Sequence, residues 1–98
     1  MKVIIVPNEK GNPVGQLATA ELHFSEGPLA GLKLIGFAVW ERRDGKRNVT
    51  FPARSYSVNG ERRSFALLRP VQDVDAQNRL RDAILEAYAA SEAAAGGN

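Results

Sequence analysis

Apolar and polar residues alternate along most of the first two thirds of this chain and then give way to a three- and four-residue rhythm near its end. A period of two is that of a half-buried strand and a period of 3.6 that of an amphipathic helix, so the pattern predicts strands first and a helix last. Lys2 to Val6 is a predicted short strand, stopped by the turn-rich PNEKGNP. Gln16 to Phe24 places Ala18, Ala20, Leu22 and Phe24 on one side, and SEGPLAG (residues 25–31) reads as a loop. Leu32 to Arg42 is a long β-rich run ending at Asp44-Gly45, a pair that tolerates the positive φ of a two-residue hairpin turn. Asn48 to Val58 returns, irregular near Pro52, which cannot donate a ladder hydrogen bond. Asn59-Gly60 is a second hairpin signal, and Glu61 to Leu68 is the strand that follows it.

After Pro70, either Asp73 or Asp75 can cap a helix by accepting a backbone N–H of its first turn. Ala76, Leu80, Ala83, Ile84, Ala87 and Tyr88 then form one apolar stripe. The residues from Ser91 onward have nothing to bury and are expected to fray, leaving residues 1–90 as one folded domain and 91–98 as a flexible tail. The predicted fold class is α+β: an antiparallel meander of about five strands with one C-terminal helix.

Two-residue turns would pair Trp40 with Val49 and Tyr56 with Arg63, and paired residues share a face. Leu34, Ala38, Trp40, Val49, Phe51, Ala53, Ala66 and Leu68 then fall on one side. Ile35, Phe37, Val39, Thr50, Pro52, Phe65 and Leu67 fall on the other, with Arg54, Tyr56 and Arg63 toward the Asn59-Gly60 tip. Both faces are apolar at the centre of this expected sheet, and one helix covers only one of them. A large uncovered apolar face marks an interface, so a homodimer is expected.

At 98 residues the chain has room for one core and no second domain. It has no cysteine, which excludes disulfide frameworks, thiolate metal sites and cysteine nucleophiles and suits a reducing cytoplasm, the expected location. The opening MKVIIV is too short for a signal-peptide core or a membrane span, so Asn48-Val49-Thr50 is not expected to be glycosylated.

The net charge of +2 conceals an uneven distribution. Between Arg42 and Arg69, Arg42, Arg43, Lys46, Arg47, Arg54, Arg62, Arg63 and Arg69 face only Asp44 and Glu61, while the segments on either side are net acidic. Arginine predominates, and its planar fork suits phosphate. Arg54, Tyr56 and Arg63 on one face can hold phosphates while the phenol offers a stacking surface. The same trio also reads as an exposed cation–π pair contributing under about 2 kcal/mol. A metal-ligand set, a phosphate-cradling glycine loop and a spaced acid–base pair are all missing. His23 reads as a hydrogen-bonded strand histidine, and Trp40 as core. Neither an enzyme nor a small-molecule binder is expected, and no cofactor or metal.

LIGFAVW, NVTFPAR, NGERRSFALLRP and the helix RLRDAILEAY, spread between Leu34 and Tyr88, resemble the SpoVG family, the bacterial septation regulators named for stage V sporulation. The resemblance implies a small α+β dimer that binds nucleic acid in gene regulation without catalysis. It places Arg54 at the basic position after the family's proline and Arg63 at the basic position following the turn. This chain departs from the pattern at Ser55, at Arg69 and by one extra residue between Phe65 and Pro70. The expected contacts to DNA or RNA are Arg42, Arg43, Lys46, Arg47, Arg54, Tyr56, Arg62, Arg63, Arg69, Arg79 and Arg81. The competing expectation is a protein-interaction module whose basic surface meets an acidic partner.

Overall fold

The computed structural model of the protein describes residues 1–96. Among these residues the fold is α+β, with six strands in two antiparallel sheets and one long C-terminal helix. Strands β1 (Lys2–Pro7), β2 (Gln16–His23), β3 (Lys33–Glu41) and β4 (Arg47–Thr50) form a four-stranded meander in chain order. Strands β5 (Ala53–Val58) and β6 (Glu61–Ala66) pair only with each other. Helix α1 (Asp75–Gly96) touches both edge strands of the larger sheet, β1 and β4, and so lies across it.

The expected single meander is therefore corrected to two sheets, and the break falls at Phe51-Pro52. Pro52 has no N–H to continue the ladder. It is buried against Gly36, whose φ is +109° and whose backbone approaches so closely that a Cβ there would lie 2.8 Å from the Pro52 Cβ. Gly36 belongs to a bulge in which Ile35 and Gly36 together stand opposite Glu21, between the pairs Ala20–Phe37 and Leu22–Leu34. The chain leaves the first sheet at this point, and the Leu67 N–H donates to the Pro52 carbonyl at 2.9 Å, extending the β5–β6 pairing to its base.

The first hairpin corrects the expected register. Its loop holds three residues, Arg43, Asp44 and Gly45: the Gly45 N–H donates to the Arg42 carbonyl at 2.9 Å and the Arg42 N–H to the Lys46 carbonyl at 2.7 Å. Gly45, at φ +83°, takes the left-handed position that closes such a loop. One extra loop residue slips the pairing by one, so Val39 faces Val49 and Trp40 faces Asn48. A slip of one exchanges the faces. Phe37, Val39 and Val49 thus join Ala18, Ala20 and Leu22 in one buried cluster on the side of α1. Trp40 lies on the reverse side, half-buried, with its indole N–H donating to Thr50 Oγ1 at 2.9 Å. That side mixes Ile4, Val6 and Ala38 with Thr19, Glu21, His23 and Asn48, so the expected second apolar face of the sheet is also corrected.

The helix presents the stripe that its sequence predicts. Ile84 is fully buried in the sheet cluster, where its side chain contributes about 1.5–3 kcal/mol relative to exposure. Leu80 and Tyr88 pack beside it. Asp73 is the cap, its Oδ1 accepting the Asp75 N–H at 2.9 Å. At the other end the helix continues through the alanine-rich segment to Gly96, correcting the expectation that regular structure ends near residue 90. Alanine has the highest helix propensity, and Glu92 accepts a hydrogen bond from the Arg47 guanidinium at 2.8 Å, tying this extension to β4. Residues 97 and 98 of the expected tail lie outside the described residues.

Candidate nucleic-acid interface

The β5–β6 hairpin is an arm. Among the described residues no other strand or helix makes an extended contact with it, and every residue from Ala53 to Phe65 is exposed. The radius of gyration is 15.0 Å, against about 13 Å for a compact chain of this length, and the extents are 52 × 38 × 24 Å. The turn at the arm's tip has both central residues at positive φ, Asn59 at 53° and Gly60 at 83°, the geometry that matches strand twist in a two-residue loop. The register is the one the sequence predicts: Arg54 faces Phe65, Tyr56 faces Arg63 and Val58 faces Glu61.

Alternation then sorts the arm into two unlike faces. One carries Arg54, Tyr56, Val58, Glu61, Arg63 and Phe65, and the other carries Ala53, Ser55, Ser57, Arg62, Ser64 and Ala66. On the first face the Tyr56 and Phe65 rings lie with centroids 5.8 Å apart and planes inclined by 55°. The Arg69 guanidinium sits 5.7 Å from the Phe65 centroid and is fixed there by its Nε–H, which donates to the Ala66 carbonyl at 2.8 Å. Arg63 is held loosely by Glu61 at 3.2 Å, both side chains being more than half exposed. No ion pair or side-chain hydrogen bond among the described residues engages Arg54 or Arg62. The face is therefore two rings bordered by Arg54, Arg63 and Arg69, with N–H groups left to donate to an anion.

The remaining predicted contacts divide. Arg42, Arg43 and Lys46 are exposed at the β3–β4 tip, where Asp44 is occupied in the turn, its Oδ1 accepting the Lys46 N–H at 2.9 Å. Arg47 is turned inward: besides its bond to Glu92, its guanidinium stacks 5.0 Å from the Tyr88 centroid. Arg79 pairs with Asp73 at 2.9 Å. Arg81 donates to Asn78 Oδ1 at 2.7 Å and lies 5.7 Å from the Phe51 centroid. Arg47 joins the helix to β4, Arg81 joins it to Phe51 and Arg79 closes on the helix's own cap; the structure does not bring Arg79 or Arg81 onto the arm face.

Phe65 was not among the predicted contacts. Its signal was present, because the Asn59-Gly60 turn puts it opposite Arg54 on the face of Tyr56. Arg69 lies beyond the end of β6 and joins that face by folding back over three and four residues onto Ala66 and Phe65.

Elsewhere the ionisable groups serve the fold. His23 Nε2 lies 2.9 Å from Glu21 Oε1, and the Lys33 ammonium approaches the same oxygen at 3.3 Å. The hydrogen bond from His23, and then the bond and charge of Lys33, hold the Glu21 carboxyl below its ordinary value. The Arg79 bond and then the Asp75 N–H do the same for Asp73. Among the described residues no group of three or more histidine, cysteine or acidic side chains could hold a metal ion, and no helix is long and apolar enough to cross a membrane. No family model, curated protein or solved structure matches the chain.

Proposed function

We propose that this protein is a small, non-enzymatic regulator that binds nucleic acid, as its resemblance to the SpoVG family implies, and that it works as a homodimer. The observation that carries this reading is the arm face, where Arg54, Arg63 and Arg69 surround two exposed rings on a hairpin that projects from the body. Guanidinium groups bond phosphate oxygens in a charge-assisted, often bidentate way. The Arg42, Arg43 and Lys46 tip supplies a second set of cations for the same polyanion. Two copies double the number of phosphates reached.

Each phosphate neutralised releases condensed counterions, so affinity falls steeply with salt. If six phosphates are contacted, binding to DNA or RNA weakens by about a thousandfold between about 50 and 200 mM salt. Fluorescence-polarisation titrations across that range are expected to show this slope. Arg54→Glu combined with Arg63→Glu is expected to reduce both the affinity and the slope while leaving circular dichroism and oligomeric state unchanged. Salt-independent binding, or none at low salt, removes the proposal; unchanged affinity in the double variant moves the site away from the arm.

A further inference from the structure

We infer that the nucleic acid held by the arm is single-stranded, with its bases stacked on Tyr56 and Phe65; this rests on the nucleic-acid reading above and names its substrate class. Phosphate capture alone needs cations and no rings. Here two aromatic side chains occupy the middle of the cationic face, on a hairpin whose burial does not require them: Tyr56 is 43% and Phe65 39% exposed. Leaving two large rings in water is unfavourable unless something covers them, and a nucleobase does so with a flat π-face of similar size.

Geometry separates a single strand from a duplex. The two ring centroids are 5.8 Å apart on neighbouring strands of the arm. Successive bases within one duplex strand rise by about 3.4 Å and are closed to insertion by their own stacking. Bases that rest on both rings are therefore unstacked from each other, as they are in loops and unpaired strands recognised by aromatic side chains. A two-stranded ribbon can also enter the major groove of DNA, but it then reads base edges with polar side chains, whereas the cationic face of this arm intersperses Arg54 and Arg63 with two rings that have no base-edge hydrogen bond to make beyond the single Tyr56 hydroxyl. The cations are placed for a backbone passing along the border of the platform. Arg54 and Arg63 each stand directly across the strand pair from a ring, and Arg69 is anchored at the arm's base by its Nε–H bond to the Ala66 carbonyl, with its guanidinium over Phe65.

The test compares labelled oligothymidine and oligouridine strands with a blunt duplex of the same length, titrated by fluorescence anisotropy at one low ionic strength with the full-length protein. The wild type is expected to bind the single strands at least tenfold more tightly than the duplex. Tyr56→Leu and Phe65→Leu, which keep an apolar side chain on the strand, are each expected to weaken single-strand binding on the order of tenfold and to leave duplex binding unchanged. Tyr56→Phe keeps the ring and is expected to retain wild-type affinity. Equal or tighter duplex binding by the wild type overturns the inference while leaving the nucleic-acid reading in place, and this comparison needs no variant to fold. Affinity unaffected by either leucine substitution also overturns it. Failure to bind any oligonucleotide overturns both.

Discussion

Gly36 shows how much one missing methyl group decides. Its φ of +109° lies where side chains are strained, and the space a Cβ would need is filled by Pro52. Pro52 is backbone-locked and buried, so it cannot yield as the end of a flexible side chain would. Gly36→Ala is expected to destabilise the fold by about 2 kcal/mol or more, combining backbone strain of roughly 1–3 kcal/mol with the clash. For a domain of this size that lowers the Tm by on the order of 10 °C, which thermal denaturation followed by circular dichroism measures; an unchanged Tm contradicts the packing described. Nothing in LIGFAVW distinguishes this glycine from one that merely interrupts a strand. Its significance arises from a proline distant in sequence, brought across only when β3 and β4 pair. Phe65 is the opposite case, placed by a local turn and legible in the sequence alone.

At the scale of elements, helix α1 is the part most legible in the chain, because its stripe and its cap both follow from local pattern. Asp73 performs two tasks, capping the first turn and receiving Arg79. Its carboxyl is held below the ordinary 3.8, chiefly by Arg79 and then by the Asp75 N–H. A group whose folded pKa is depressed stabilises the fold fully above its unfolded value, and that contribution disappears as the pH falls through the folded value. Asp73→Ala is expected to lower the Tm by a few degrees at neutral pH. Asp73→Asn preserves a capping oxygen and removes the titration, so the loss of stability on going below pH 3.8 is expected to be shallower than in the wild type. Urea unfolding as a function of pH distinguishes the two; an acid limb identical to wild type in the asparagine variant contradicts the role given to Asp73. The two hairpins differ in the same instructive way. Asn59-Gly60 closes a two-residue loop as expected, whereas Asp44-Gly45 is absorbed into a three-residue loop and slips the register. Both dipeptides permit a positive φ, and the choice between loop lengths falls to the strands, where pairing Val39 with Val49 gathers the larger apolar side chains beneath the helix.

As a whole molecule, the single chain leaves an arm without a surface to rest on. An isolated two-stranded hairpin is marginal in water, and among the described residues this one has no third strand and no helix in extended contact with it. Around its base and along the body, Leu67, Ile35 and Leu32 remain more than half exposed. The proposed second copy would account for both features if it packs on the arm's face opposite the rings, leaving Tyr56 and Phe65 to the nucleic acid, and it replaces the premise of a continuous apolar sheet face, which the register slip removed. Size-exclusion chromatography with light scattering is expected to give twice the single-chain mass at micromolar concentration. A single-chain mass at that concentration contradicts this.

Local pattern, by itself, determined the α+β class, the helix with its buried stripe, the arm's register and the collection of arginines between Arg42 and Arg69, because each depends on neighbours a few residues apart. Tertiary structure alone decided where the meander breaks, which face Trp40 occupies, that Arg47 is engaged by Glu92 and Tyr88, and that Arg81 reaches Phe51. Those outcomes depend on contacts between residues far apart in the chain, whose energies are comparable with one another and are resolved only when all of them compete for the same space.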